Sequence, residues 1–162
     1  MEAVRPETLQ KIAESILGKL KSASVEEAAC LLQMNDYHGF LKARIPEDFL
    51  KEILSPYSLT PEQVQIEIVK VDRDLSNEIH YHEGSHAYCV ILGESEKVEN
   101  PKEAKAFVKD HWFSVNSGDV VSIPPGTPHG FTVGEGGHLI FLSVQSPPIE
   151  REGNDDYHKV EI

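Results

Sequence analysis

Four of the chain's eight histidines stand where chemistry could be done. His80, His82 and His86 share the run His80-Tyr81-His82-Glu83-Gly84-Ser85-His86, and His129 ends the run Pro124-Pro125-Gly126-Thr127-Pro128-His129. Imidazole is the commonest metal ligand among side chains. In an extended backbone, side chains two residues apart point to the same face. His80 and His82 can therefore aim at one point while Tyr81 points away, and a turn at Gly84 lets His86 join them. Neutral imidazoles suit Fe(II), Zn, Ni and Cu(II) over the oxygen-seeking Mg and Ca. A metal held there would act as a Lewis acid, or would lower the pKa of a bound water. A chelator or a move towards about pH 5 is expected to strip the metal, because protonated imidazole does not coordinate; a metal that stayed bound under both would count against a site of exposed histidines.

Such a site needs a scaffold, and the hydrophobic pattern changes partway along the chain to supply one. Residues 1–60 read as a helical extension. Pro6 suits a first helical turn, and Leu9, Ile12, Ala13, Ile16, Leu17 and Leu20 recur at helical spacing. Ser24 and Glu27 form a capping box for a second helix carrying Ala28, Cys30, Leu31 and Leu32. Residues 46–54 suit a third, with Phe49, Leu50, Ile53 and Leu54 on one face. After Pro61 the period becomes that of strands, beginning with Val64, Ile66 and Ile68. Strand-like runs follow at 86–92, 106–108, 112–115, 120–123, 130–133 and 138–144, separated by Gly, Pro, Asn and Asp. Short strands with such turns predict an antiparallel sandwich or barrel over 61–148. Residues 149–162 read as a polar C-terminal tail, first of all mobile, with folding over the barrel mouth or packing on a partner as alternatives.

The chain has 162 residues and a net charge of −12, with Lys and Arg scattered. This disfavours nucleic acid and anionic membranes as partners, since both are recognised through clustered positive charge. No apolar run approaches the roughly 18 residues needed to span a bilayer. The acidic N-terminal residues lack the apolar core of a signal peptide, so a cytoplasmic location is expected. Cys30 and Cys89 are expected as buried small hydrophobes rather than a disulfide pair.

The histidine motifs resemble those of the cupin superfamily. His80-x-His82-x3-His86-x6-Gly93 is similar to the first cupin motif, and Gly118-x5-Pro124-x-Gly126-x2-His129 to the second, each without insertion. The likeness covers about residues 64 to 146. Three positions depart from the usual pattern: His86 replaces a glutamate, Asp74 an opening glycine and Val133 a closing asparagine. The resemblance implies a mainly β fold, a double-stranded β-helix or jelly-roll barrel preceded by the helical extension. It implies a divalent transition metal inside one end, on His80, His82, His86 and His129. Fe(II) is favoured; Zn, Ni, Mn or Cu would also serve. Exchange of a glutamate for His86 leaves the metal its full +2 charge, which favours an anionic ligand. Gly126 is expected where a side chain would hinder the backbone.

Alternation from His86 and His129 predicts that Tyr88, Val90 and Phe131 line the pocket and that Cys89 faces away. Tyr88 is a candidate catalytic hydrogen-bond donor, with core packing as its alternative role. Either Trp112 or Phe113 lines the cavity, and Gln145 is a candidate polar wall residue. His111 and His138 are expected at the surface, with His38 and His158 outside the barrel unless the tail folds back and brings His158 to the mouth. Glu83 faces away and is not assigned as a general base. The functional expectation is a metal-dependent enzyme, dioxygenase-like in its sharpest form, acting on a small anionic or enolisable substrate. A Lewis-acid isomerase or lyase and a non-catalytic ligand- or metal-binding module are the alternatives. A homodimer is expected, because an unpaired edge strand invites pairing.

Overall fold

A computed structural model of the chain describes residues 4–20, 35–37, 40–45, 47–71, 78–94, 104–134, 139–150 and 155–160. The expected second helix, with Cys30, lies outside the described residues, as do His38 and His138. Helix α1 spans Pro6–Leu20 and helix α2 spans Glu47–Leu54, followed by a short 3-10 turn at Ser55–Tyr57. The strands in chain order are β1 (Asn35–Tyr37), β2 (Phe40–Arg44), β3 (Gln65–Val71), β4 (His80–Tyr81), β5 (His86–Glu94) and β6 (Lys105–Val108). They continue with β7 (His111–Ser114), β8 (Val120–Ile123), β9 (His129–Thr132), β10 (Leu139–Ser146) and β11 (His158–Lys159).

The strands form two antiparallel sheets. One has the order β1-β2-β3-β10-β5-β8, the other β11-β4-β9-β6-β7. Between them lies an apolar core that includes Val69, Ala87, Ile91, Ala106, Val121, Phe131 and Phe141. The fold is thus the mainly β sandwich expected of the jelly-roll class. No helix among the described residues is long and apolar enough to cross a membrane.

A second core covers the outer face of the six-stranded sheet. Leu9, Ile12, Ala13 and Ile16 recur along one stripe of α1 and are fully buried. They cluster with Leu50, Ile53 and Leu54 of α2 and with Ile66, Ile68, Val90, Leu142 and Val144 of the sheet. A short amphipathic helix gains most of its stability from such a surface. The central strands of this sheet are consequently buried on both faces; every residue of β10 is.

The first sixty residues are not wholly helical. Strands β1 and β2 form a hairpin, with Asn35 opposite Lys42. Strand β2 then pairs antiparallel with β3, Lys42 opposite Val69 and Ala43 opposite Ile68. The inward residue of β2 is a lysine, so this strand carries no apolar alternation by which to announce itself.

If α1 belongs to the folded core, Ile12→Ala removes buried volume that its neighbours cannot refill. It is expected to cost about 2–5 kcal/mol of unfolding free energy in urea titrations. A loss below about 0.5 kcal/mol, the size of an ordinary surface change, would show α1 to be peripheral.

Candidate metal centre

His80 and His129 are direct register partners on β4 and β9. Residues opposite each other in an antiparallel pair project to the same face, and the two ring centroids lie 4.3 Å apart. His82, two residues beyond His80, places its ring 4.9 Å from that of His80 and 4.8 Å from that of His129. One nitrogen from each ring lies within 4.8 Å of the others, and all three residues are buried.

The opposite side of each ring explains which nitrogen is offered. His80 Nδ1 donates to the carbonyl of Glu78 at 3.0 Å, and His129 Nδ1 to that of Thr127 at 2.9 Å. His82 Nδ1 donates to the carbonyl of Asp156 at 2.7 Å. A carbonyl only accepts, so each neutral ring carries its proton on Nδ1 and its lone pair on Nε2. Hydrogen bonds of this kind orient metal-binding imidazoles and raise their basicity towards the metal. Burial pushes the His82 ring down to about 4, against the pull of its Asp156 bond. Burial, aided by nearby His82, pushes His129 down to about 3. Both rings are therefore neutral at pH 7, the state that coordinates. These three residues fit a divalent transition metal.

The second motif is tied to the first through Gly126. Its φ is +76°, a region that favours glycine, as its place in the turn led us to expect. Its N–H donates to the carbonyl of His82 at 2.7 Å. The proline-rich turn before His129 is thereby fastened to the backbone of another histidine of the trio.

His86 does not join them. Strand β4 belongs to the five-stranded sheet and β5 to the six-stranded one, so the chain changes sheets between His82 and His86. The bend at Glu83 and Gly84 resets the alternation. His86 is half-buried, with its Nε2 2.8 Å from Ser122 Oγ. Tyr88 and Val90 share its face and pack in the core beneath the helices. Tyr88 is thus corrected from a pocket residue to a packing residue. Burial, with Glu14 nearby, raises its phenol above the usual range. Cys89 is corrected in the other direction, because it lines the pocket. Burial holds its thiol up at about 12, so it is no nucleophile.

The pocket contains roughly 600 Å³ of space, its open mouth included. The three histidines line it together with Phe131 and Gln145, as expected, and with Val69, Phe141, Ile149 and Tyr157. Neither Trp112 nor Phe113 lines it. Trp112 packs on Phe107 at 5.2 Å, and Phe113 is exposed. His111 is exposed and beside Asp110.

The C-terminal segment was expected first as a mobile tail; instead, its described residues fold back onto this centre. Strand β11 pairs with β4, and Tyr157 stacks on the His80 ring at 4.2 Å and 19°. The Asp156 carboxylate accepts the backbone N–H groups of Glu83 at 2.7 Å and Gly84 at 2.9 Å. His158 stacks on Tyr81 at 5.0 Å. Sequence reasoning missed Asp156 and Tyr157, because an acidic, proline-containing stretch carries the composition of a solvated one. It also missed Lys42 and Glu67, buried charges on the pocket wall.

No family model matches the sequence, and no curated protein does. Solved structures match its fold. Streptomyces Pac13, a nucleoside dehydratase, is 11% identical with a TM-score of 0.55, covering 81% of this chain and 86% of its own. An RmlC-like cupin from Shewanella frigidimarina is 14% identical with a TM-score of 0.52, covering 74% and 86%. KdgF from Halomonas sp. is 17% identical with a TM-score of 0.51, covering 74% and 88%. Two antiparallel sheets, with three histidines converging between them, place this chain in the cupin fold.

Proposed function

We propose that this protein is a metal-dependent enzyme in which His80, His82 and His129 hold a divalent transition metal beside a small anionic or enolisable substrate. The observation that carries the reading is the set of three Nδ1–H bonds to backbone carbonyls, which puts each lone pair on Nε2 of three rings whose ligand atoms lie within 4.8 Å of one another. The metal would supply Lewis acidity or, as Fe(II) with dioxygen, oxidation of a chelating substrate. Three neutral ligands leave its +2 charge uncompensated, which favours an anionic oxygen ligand. Three protein ligands also leave coordination positions for substrate. Fe(II) and a dioxygenase remain the sharpest form of this proposal, and Zn, Ni, Mn or Cu belong to its Lewis-acid form.

An isomerase or lyase is favoured by a separate observation. Lys42 and Glu67, groups able to carry protons, line the pocket that the histidines line. The similarity in fold to a nucleoside dehydratase supports that form as well. The proposal includes the cytoplasmic setting and the homodimer; among the described residues β7 and β8 end their sheets and offer edges to a second copy.

After reconstitution with Fe(II) or Zn(II), elemental analysis is expected to find metal in the parent protein and in His86→Ala, but not in His129→Ala. Metal retained by His129→Ala would remove the centre. Oxygen uptake with Fe(II) and a panel of diketones, catechols and thiols then identifies a dioxygenase. Turnover without oxygen uptake identifies the Lewis-acid form, and neither identifies a binding module.

Asp156→Ala removes the carboxylate that ties down the Glu83–Gly84 bend while leaving the carbonyl bonded to His82. We expect metal affinity to fall about 10–100-fold in chelator competition. An unchanged affinity would show the bend to be rigid without it.

The depressed histidines also set a pH dependence in the metal-free protein. The unfolded chain takes up protons near the ordinary value of about 6.5, whereas the folded His82 and His129 resist until about 4 and 3. Their contribution to stability is complete above the unfolded value. It is lost progressively as pH falls from about 6.5 towards 4 for His82 and 3 for His129. Urea midpoints should decline over that window and stay level between about pH 7 and 8 with respect to these groups. For the same reason the folded centre should keep its metal at about pH 5, lower than exposed imidazoles would allow. Release at pH 6 would contradict the burial of the rings.

A further inference from the structure

The wall of the pocket on the six-stranded sheet is built as a polar acceptor site. Glu67 stands opposite Ser143 on β3 and β10, and Gln65 opposite Gln145, so all four share the inner face. Glu67 Oε2 receives Lys42 Nζ and Gln65 Nε2, both at 3.1 Å. Its Oε1 receives Gln145 Nε2 at 3.1 Å, and that same amide nitrogen lies 2.8 Å from Ser143 Oγ. Lys42 also reaches Glu150 at 2.6 Å. A carboxylate only accepts, so the Gln145 amide is turned with its nitrogen on Glu67. Its Oε1 is left buried, with no hydrogen-bond partner among the described residues. Gln145 is 6% exposed and lines the pocket. A buried acceptor without a donor is costly, and native interiors seldom tolerate one.

We infer that Gln145 Oε1 is the recognition point for a hydroxyl or amine donor on the substrate, and that the substrate is a small hydroxy or amino monocarboxylic acid. The inference rests on the metal-centre reading for one end of the ligand only. The carboxylate end meets the metal on the histidine sheet. The donor end meets Gln145 on the facing sheet, and Phe131, Phe141 and Val69 flank the carbon skeleton between them. The polar wall already carries two acidic groups, Glu67 and Glu150, both bonded to Lys42. A second carboxylate on the ligand would be repelled there, whereas an O–H or N–H donor is welcomed.

The test titrates 3-hydroxypropanoate, 4-hydroxybutanoate and 5-hydroxypentanoate, their deoxy analogues, and the dicarboxylates of equal length into the full chain. Binding is followed by calorimetry and by amide chemical shifts, with and without zinc. At least one hydroxy acid is expected to bind about tenfold or more tightly than its deoxy analogue and than the matching dicarboxylate. In Gln145→Met that preference over the deoxy analogue should shrink to within about threefold while zinc content stays unchanged. Equal binding of hydroxy and deoxy acids, absence of binding by the whole series, or a preference that survives Gln145→Met would overturn the inference. Should zinc fail to bind, the metal reading fails, and the hydroxy-to-deoxy ratio in the same zinc-free protein still decides the role of Gln145. Should Gln145→Met fail to fold, the ratio in the parent protein decides it.

Discussion

Three buried imidazoles each give their Nδ1 proton to a backbone carbonyl, and the site follows from where those carbonyls are. Two of them, at Glu78 and Thr127, lie two residues before the histidine they orient. The strand geometry that sets β4 against β9 therefore sets these rings as well. The third, at Asp156, comes from far along the chain. The centre is completed only when the C-terminal segment docks. A buried neutral imidazole with a fixed tautomer is expensive to assemble but is already in its coordinating state, so a metal would displace no proton from His82 or His129 at pH 7.

The two sheets divide the work. The five-stranded sheet holds the histidines, and the six-stranded sheet holds a hydrogen-bonded polar wall around Glu67. Helices α1 and α2 bury the back of the latter, so a short sheet edge and a charged inner face rest on a second apolar core. This burial on both sides allows Lys42, Glu67 and Gln145 to stay in place: the sheet is anchored from outside, and its inner face is free to be polar.

Much of this was legible in the sequence where the pattern is local. The spacing of His80 and His82 named a shared face, and Pro124–His129 named a rigid turn with Gly126 where a side chain would hinder the backbone. Cys89 and Tyr88 were exchanged because alternation along β5 was counted from His86, taken as a fourth ligand. The chain changes sheets at Glu83 and Gly84, and no residue count survives such a crossing. Strand β2 was hidden for a related reason, since its inward residue is charged. Asp156 and Tyr157 depend on contacts over seventy residues away in sequence, and nothing in a polar segment announces its partners. Stretches of β5 and β10, such as 90–92 and 139–142, read as continuous apolar runs because both of their faces are covered, which removes there the period from which facing is inferred.

The central claim is that three histidines, all through Nε2, make the metal centre. Long-range nitrogen–proton correlation spectra of histidine-labelled protein, before and after addition of zinc, test it most directly. Before zinc, His80, His82 and His129 should each show a proton fixed on Nδ1. After zinc, those three Nε2 resonances alone should move to metal-bound positions while His86 keeps its shifts. Coordination through Nδ1, a shift of His86 with the others, or an unmoved His129 would contradict the centre described.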